Sequence, residues 1–419
     1  MLIPVRIHWL TLGFMCILTV FGCATFNPRP VQEVPFQERA RTQHKNNVRV
    51  TAAVPSAEES RALFGVNLYR KGIQPVWLEI ENKDEKPVWF LPLGLDPDYF
   101  TPLEVAYMNY FAYSTTANEA MDRHFHERGQ GIYIAPGSVR SGFVFTPIDE
   151  GTKDFIVDLV GEDHEVRTFT FFINVPGLRA DHHGVDFKAL YSKDEIGSYD
   201  EEGLRKALEG LPCCTTNKKG ADQGDPLNLV VIGNGEDLFH AFIRSGWDET
   251  ETIYTSSAWK TSISFLFGGR YRYSPVSGLY VFGRRQDVAL QKTRGTIHER
   301  NHLRLWLAPM RFEGKPVWVG QISRDIGVRF TWKTIVTHKI DPDVDETRDY
   351  LIQDLWYSRG LEKFAYVKGV GKAPISAPRG NLTGDPYFTD GYRAVLWVSS
   401  DPIDFEDVES VEWEIPREH

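Results

Sequence analysis

"GTIHERNHLRLWLAP", residues 295–309, can be read in two ways, and the choice decides what kind of fold surrounds it. Its centre, His298-Glu299-Arg300-Asn301-His302, has H-E-x-x-H spacing. On an α-helix, residues four apart share one face about 6 Å apart, so both imidazoles reach a single metal ion. On a strand, four residues span about 13 Å, a gap that two zinc–nitrogen bonds of about 2 Å do not bridge. Thr296 and Glu299 fit a helical capping box, and Pro309 suits a helix end. Against that, Leu303, Leu305 and Leu307 alternate with His302, Arg304 and Trp306, a period of two. The turn "EGKP" follows, then a second strand-like run, "VWVGQIS". Together they predict an antiparallel hairpin.

The strand reading brings its own chemistry. With Gly314 and Lys315 at the tip, Arg304 is expected opposite Asp325 and Trp306 opposite Ser323. His302, Arg304 and Asp325 then share one face, and His338 ends the next strand. A His, an Arg and a carboxylate together bind an anion or serve as acid and base. Arg284 and Lys292, in "GRRQDVALQK", are expected to add charge for a phosphate-like group. The structural alternative is a cross-strand ion pair with partly exposed histidines. The zinc alternative uses His298 and His302. It lacks an H-x-x-G-x-x-H continuation, and only Asp325 stands at a tolerable distance as third ligand.

Other motifs are weaker. Asp341, Asp343 and Asp345 resemble a metal loop, but a helix cap at Asp341 followed by Pro342 explains them, and the Gly and Glu of a calcium hand are missing. "GNG" at 233–235 follows a strand and opens a helix, yet it lacks the third glycine of a dinucleotide fingerprint. His124 and His126 read as an exposed loop pair. No G-x-S-x-G elbow occurs.

Outward from this core, the chain of 419 residues fits two domains. Apolar residues make up 42% and charged residues 25%, a globular balance, and a net charge of −10 argues against a nucleic-acid partner. The opening residues read as a targeting segment. Arg6 precedes the apolar run "IHWLTLGFMCILTVFG", and Val20-Phe21-Gly22-Cys23 resembles the cleavage box of a bacterial lipoprotein. Residues 1–22 are thus expected to be a signal peptide, with lipid on Cys23; an uncleaved anchor is the alternative. Ala24 resembles the residue that lets a lipoprotein move on to an outer membrane. Pro-rich residues 23–47 read as a flexible tether. Cys213 and Cys214 are expected as two partly buried thiols, although an exported chain meets an oxidising compartment.

Residues 48–179 carry short aromatic and β-branched runs, and predict an immunoglobulin-like sandwich interrupted by one helix that Thr101 caps. Residues 180–224 read as a connector with a short helix. From Asp225, the buried run "LNLVVIG" leads directly into "NGEDLFHAFIRSG", a strand-to-helix step typical of α/β domains. The fold class expected is α+β: a sandwich followed by a mixed α/β domain over 225–419.

Several runs in this second half resemble the LssY-like C-terminal domain family: "LPCCTTN", "GDPLNLVVIG", "YVFGRRQDVALQK", "RNHLRLWLAP", "VWVGQISRDIGV" and "HKIDPDVDETRDYL". The resemblance implies an address and a fold more than an activity. Some relatives join such a domain to membrane segments related to type-2 phosphatidic acid phosphatases. The interval from Ser323 and Arg324 to His338 is too long for that phosphatase signature, so its activity does not carry over. The expectation is a membrane-anchored envelope lipoprotein acting as an accessory or binding module, facing the periplasm, with an envelope protein or glycan as partner and no cofactor. A hydrolase of a phosphorylated or lipid-linked envelope compound, working through His302, Arg304, Asp325 and His338, is the alternative; a zinc metallopeptidase is the second.

Overall fold

The computed structural model describes residues 26–149, 151–162, 164–175, 185–250, 278–293, 300–329 and 337–414. The chain is mixed α and β, and it divides into two compact units. One holds residues up to 148 together with 157–169. The other holds 149–156 and everything from 170 onward. Among the described residues no helix is long and apolar enough to cross a membrane.

The first unit begins earlier than its sequence suggests. Phe26 packs edge-on against His124 at 5.4 Å, and the Arg29 N–H donates to the Ala62 carbonyl at 2.7 Å. Two 3-10 turns, Val31–Glu33 and Pro35–Arg39, follow, and Phe36 in the second is fully buried. The segment expected as a tether is therefore docked from Phe26. Its prolines supply turn geometry and its phenylalanines supply anchoring surface.

Beyond it lie β1 (Arg41–Lys45), β2 (Val48–Ala53), α1 (Ala57–Phe64), β3 (Ile73–Asn82), β4 (Val88–Leu91), α2 (Pro102–Met108), α3 (Thr115–Arg128), β5 (Tyr133–Ile134) and β6 (Ser138–Pro147); β7 (Gly151–Gly161) and β8 (Val166–Val175) follow in the chain and are divided between the units. One four-stranded sheet runs β1-β2-β3-β6 and another β5-β4-β7-β8. The single helix expected near 101–121 is two. Thr101 caps α2 in a full capping box, but Asn109 ends it, and α3 starts afresh at Thr115. His124 and His126 therefore stand on a helix and not in a loop. His124 Nε2 lies 2.8 Å from the Leu63 carbonyl, and burial pulls its pKa down to about 4.

In the second unit the elements are β9 (Gly197–Tyr199), α4 (Glu201–Glu209), β10 (Cys214–Thr216), β11 (Gln223–Pro226), β12 (Leu229–Ile232), α5 (Gly235–Arg244), β13 (Asp248–Glu249), β14 (Tyr280–Val281), β15 (Arg284–Arg285), β16 (Val288–Thr293), β17 (Arg300–Phe312), β18 (Lys315–Arg329), β19 (Thr337–Ile340), α6 (Val344–Tyr357), β20 (Leu361–Lys368), β21 (Arg379–Gly380), β22 (Pro386–Tyr387), β23 (Tyr392–Val398) and β24 (Glu409–Ser410). The main sheet runs β13-β16-β17-β18-β12-β23-β20-β24, with β12 and β23 parallel and β17 and β18 antiparallel. Apolar side chains leave it on both faces. Leu303, Leu305, Ile322 and Leu229 pack with Leu238 and Phe242 of α5 and Leu351 and Leu355 of α6. Trp306, Val319, Val230 and Trp397 pack with Leu204 and Leu208 of α4. Helices on both faces bury the central strands twice over, which explains the apolar runs there.

Two details of α6 and of the loop before β10 differ from expectation. Asp343, not Asp341, caps α6, accepting from the Asp345 and Glu346 N–H groups, while Asp341 holds the Asp343 N–H at 3.1 Å. Cys213 and Cys214 are joined as a disulfide between neighbours. The ring lies beside Tyr387, whose hydroxyl is 3.8 Å from Cys214 Sγ.

Candidate functional site

The opening stretch is a strand from Arg300 onward. With Arg300, Asn301 and His302 extended, the helical turn required by a shared 298–302 metal site is not formed. His298 itself lies outside the described residues. Among the described residues, no group of three His, Cys, Asp or Glu side chains is placed to hold a metal.

The hairpin turns one residue earlier than the sequence suggests. Glu313 and Gly314 both have positive φ, 50° and 78°, so Phe312 pairs with Lys315. Such a two-residue turn matches the twist of the strands it joins. A bulge between Leu307 and Arg311 then shifts the ladder again. Arg304 faces Gln321, His302 faces Ser323, and Trp306 faces Val319. The Arg304–Asp325 pairing expected from a regular hairpin does not form.

Asp325 instead lies diagonally from His302, two residues beyond the position His302 faces. Its Oδ2 stands 2.5 Å from His302 Nε2 and 3.6 Å from Arg300 Nε. Arg300 Nη1 donates to Gln291 Oε1 at 2.6 Å, and Arg304 Nη1 donates to Gln321 Oε1 at 2.7 Å. Arg300, His302, Arg304, Gln321, Ser323, Asp325 and Gln291 are all buried. They continue the face that carries Trp306 and Val319 in the core below. Asp225, at the end of β11, joins them electrostatically. Its carboxyl is pushed up by burial and pulled back by Arg304, and it accepts from Asn381 Nδ2 at 3.0 Å.

Two adjacent strands, β17 and β18, thus bring two guanidiniums, an imidazole and a carboxylate onto one buried face. Burial holds His302 down to about pH 4, with Asp325 opposing and Arg300 assisting, so the ring is neutral at pH 7. Burial also lowers Arg300, to about 10, which leaves it charged. An ionised Asp325 accepts the Nε2–H, which makes Nδ1 the ring's lone-pair atom. At Asp225 burial and the neighbouring Asp325 and Asp385 carboxylates push the carboxyl up, while Arg304 and the Asn381 amide pull it down.

Residues 205–392 match the family model of the LssY C-terminus. They form an LssY-like C-terminal domain. No curated protein matches the chain.

The remaining expected residues of this LssY-like domain do not join the cluster. Arg284 is spent on structure. It grips Asp287 with two bonds of 2.9 and 2.8 Å, the Tyr191 hydroxyl at 2.7 Å and the Leu307 carbonyl at 2.6 Å. Lys292 pairs in register with Asn301, so it leaves the sheet on the opposite face, where its ammonium meets Asp354 and the Ser245 carbonyl, each at 2.6 Å. The His338 backbone pairs with Val328 in β19, and its side chain lies outside the described residues. Nor is the start of α5 open to a phosphate: Asn234 and Asp237 cap each other there.

Sequence reasoning missed Arg300, Gln291, Gln321 and Asp225. Arg300 had a signal, since it continues the alternation of His302, Arg304 and Trp306. Asp225 had none, because only the tertiary fold carries β11 to this face.

Proposed function

We propose that this chain is a bacterial envelope lipoprotein, held by lipid on Cys23 with its body toward the periplasm, whose LssY-like domain binds an anionic, phosphorylated envelope compound. An outer-membrane address is favoured by Ala24. The two four-stranded sheets formed between Arg41 and Val175 suit an immunoglobulin-like sandwich, a common platform for envelope protein or glycan partners. The observation that carries the ligand reading is the Arg300–His302–Arg304 face. His302 and Arg300 both meet Asp325, and each guanidinium donates to a glutamine oxygen, so one face gathers the forked donors that recognise an oxyanion. The alternative class, a hydrolase, draws on the His302–Asp325 contact of 2.5 Å, which orients a neutral ring able to take a proton.

The test titrates the full chain with glycerol phosphate and a short polyprenyl phosphate and, in parallel, follows release of inorganic phosphate. Saturable binding, weakened at least tenfold in Arg304→Gln, is the expected result. Phosphate release that His302→Ala abolishes would move the protein to the hydrolase class. Neither binding nor release would end both readings. The address is tested separately by labelled-lipid incorporation, which Cys23→Ser must abolish.

A further inference from the structure

The docked N-terminus places a second, basic site within a few residues of the proposed anchor. Gly65, with φ 67°, ends α1, and a Cβ there would stand 3.3 Å from the Phe26 ring. Gly65 also lines a cleft of about 480 Å³ whose other walls include Arg61, Asn67, Arg70, Lys71 and Asn109. No lining residue is acidic. Among the described residues, Arg61, Arg70 and Lys71 make no ion pair. Asn67 shapes the floor by accepting the Arg70 N–H at 3.0 Å.

Chain length decides what can occupy this cleft. Cys23 and Phe26 are three residues apart, and consecutive α-carbons are about 3.8 Å apart. A lipid on Cys23 therefore holds Phe26 within about 11 Å of the acylated residue, a distance comparable to the headgroup layer. Had residues 23–47 been a free tether, no surface would be committed to the membrane. Because Phe26 is packed on the ends of α1 and α3, the surface around Gly65 is committed. The helix and turn that supply Asn109 also expose amphipathic rings: Tyr107 is 72% and Tyr113 90% accessible. Tyrosines of this kind suit the headgroup region, with a ring in apolar surroundings and a hydroxyl in water.

We propose that the cleft formed by Arg61, Arg70 and Lys71 binds the phosphate headgroup of an anionic phospholipid in the membrane that holds the anchor. This rests on the lipid-anchor reading above. The body then sits against the bilayer with its first unit oriented, and the three cations add charge attraction to the anionic surface.

The experiment uses the full chain in a neutral detergent, titrated calorimetrically with dihexanoyl phosphatidylglycerol, dihexanoyl phosphatidylcholine and free glycerol phosphate. The parent should bind phosphatidylglycerol saturably and in preference to the other two. The triple variant Arg61→Gln/Arg70→Gln/Lys71→Gln should bind it on the order of a hundredfold more weakly, at about 1 kcal/mol per cation near an anionic surface. Arg70→Glu alone should weaken it more than tenfold, and it guards against a folding defect in the triple variant. Equal affinity for the two lipids, or an unaffected pair of variants, overturns the proposal. Equal affinity for glycerol phosphate also overturns it, because a free anion would then be the ligand. Loss of the anchor reading has its own signature: no label on Cys23 while phosphatidylglycerol still binds, a result that leaves the cleft assigned.

Discussion

Two buried arginines of the main sheet, Arg393 on β23 and Arg304 on β17, are treated in opposite ways. Arg393, on β23, donates to six backbone carbonyls, those of Leu208, Leu211, Pro212, Leu227, Lys368 and Gly369, at 2.6–3.4 Å. It ties the end of α4, the cysteine loop, the approach to β12 and the exit of β20 into one knot. Burial lowers its pKa to about 10, and it stays charged because it faces carbonyl dipoles in place of an acid. Arg304 has a glutamine amide oxygen, a partly screened Asp225 and a neighbouring His–Asp pair. One guanidinium is enclosed by the backbone it holds together. The other belongs to a side-chain network of glutamine, imidazole and carboxylate groups. Burial alone therefore does not identify a functional cation, whereas the chemistry of its partners does.

The largest expected effect sharpens the structural half of that contrast. Arg393→Met removes the donor from six carbonyls and should cost on the order of 4 kcal/mol in urea unfolding. Gly369→Ala should reproduce part of it, about 2–3 kcal/mol, because its Cβ would stand 1.9 Å from Arg393 Nη1 at a φ of 137°. If either variant unfolds like the parent, the knot is not a stability element.

The second effect concerns pH. His302 has a folded pKa of about 4, below its ordinary 6.5, so the unfolded chain binds the proton first. Stability is complete above pH 6.5 and falls as pH drops from there toward 4, by on the order of 3 kcal/mol for His302. His124, lowered in the same direction, adds to the slope. Urea midpoints across that range should flatten in His302→Gln, and an unchanged slope would mean that His302 charges freely in the folded state.

Arg284 offers a control for the ligand half. Arg284→Met should lose about 2 kcal/mol through the buried Asp287 left behind, and should leave the affinity for phosphorylated compounds unchanged. A large loss of affinity would return Arg284 to the site. The smallest effect is expected at Cys213–Cys214. A disulfide between neighbours closes the shortest possible loop, so reduction should change the unfolding free energy by about 1 kcal/mol or less.

Much of this molecule was legible in its sequence, and the failures share a cause. Ile73–Asn82, Val166–Val175 and the hairpin strands followed from alternation and β-branched content. The hairpin register did not, because a two-residue turn with positive φ at Glu313 and a bulge near Ala308 leave no mark in an apolar pattern. The 101–128 segment split because Asn109 ends its first helix where helix propensity alone would continue it. Residues 26–47 look like a linker by composition, and only the packing of Phe26 and Phe36 shows that they are not. At the site, His302 and Asp325 were visible as same-face residues. Asp225 and Gln291 were not, since they come from other strands, and Gln321 was hidden by the register shift that brings it opposite Arg304.

The most direct test of the central claim is a paired measurement on Arg304→Gln. The variant should unfold within about 1 kcal/mol of the parent, because a neutral amide still meets Gln321, while its affinity for a phosphomonoester falls more than tenfold. Unfolding as severe as in Arg393→Met, with phosphomonoester affinity the same as the parent's, would show that Arg304 is another structural clamp and that this face binds nothing.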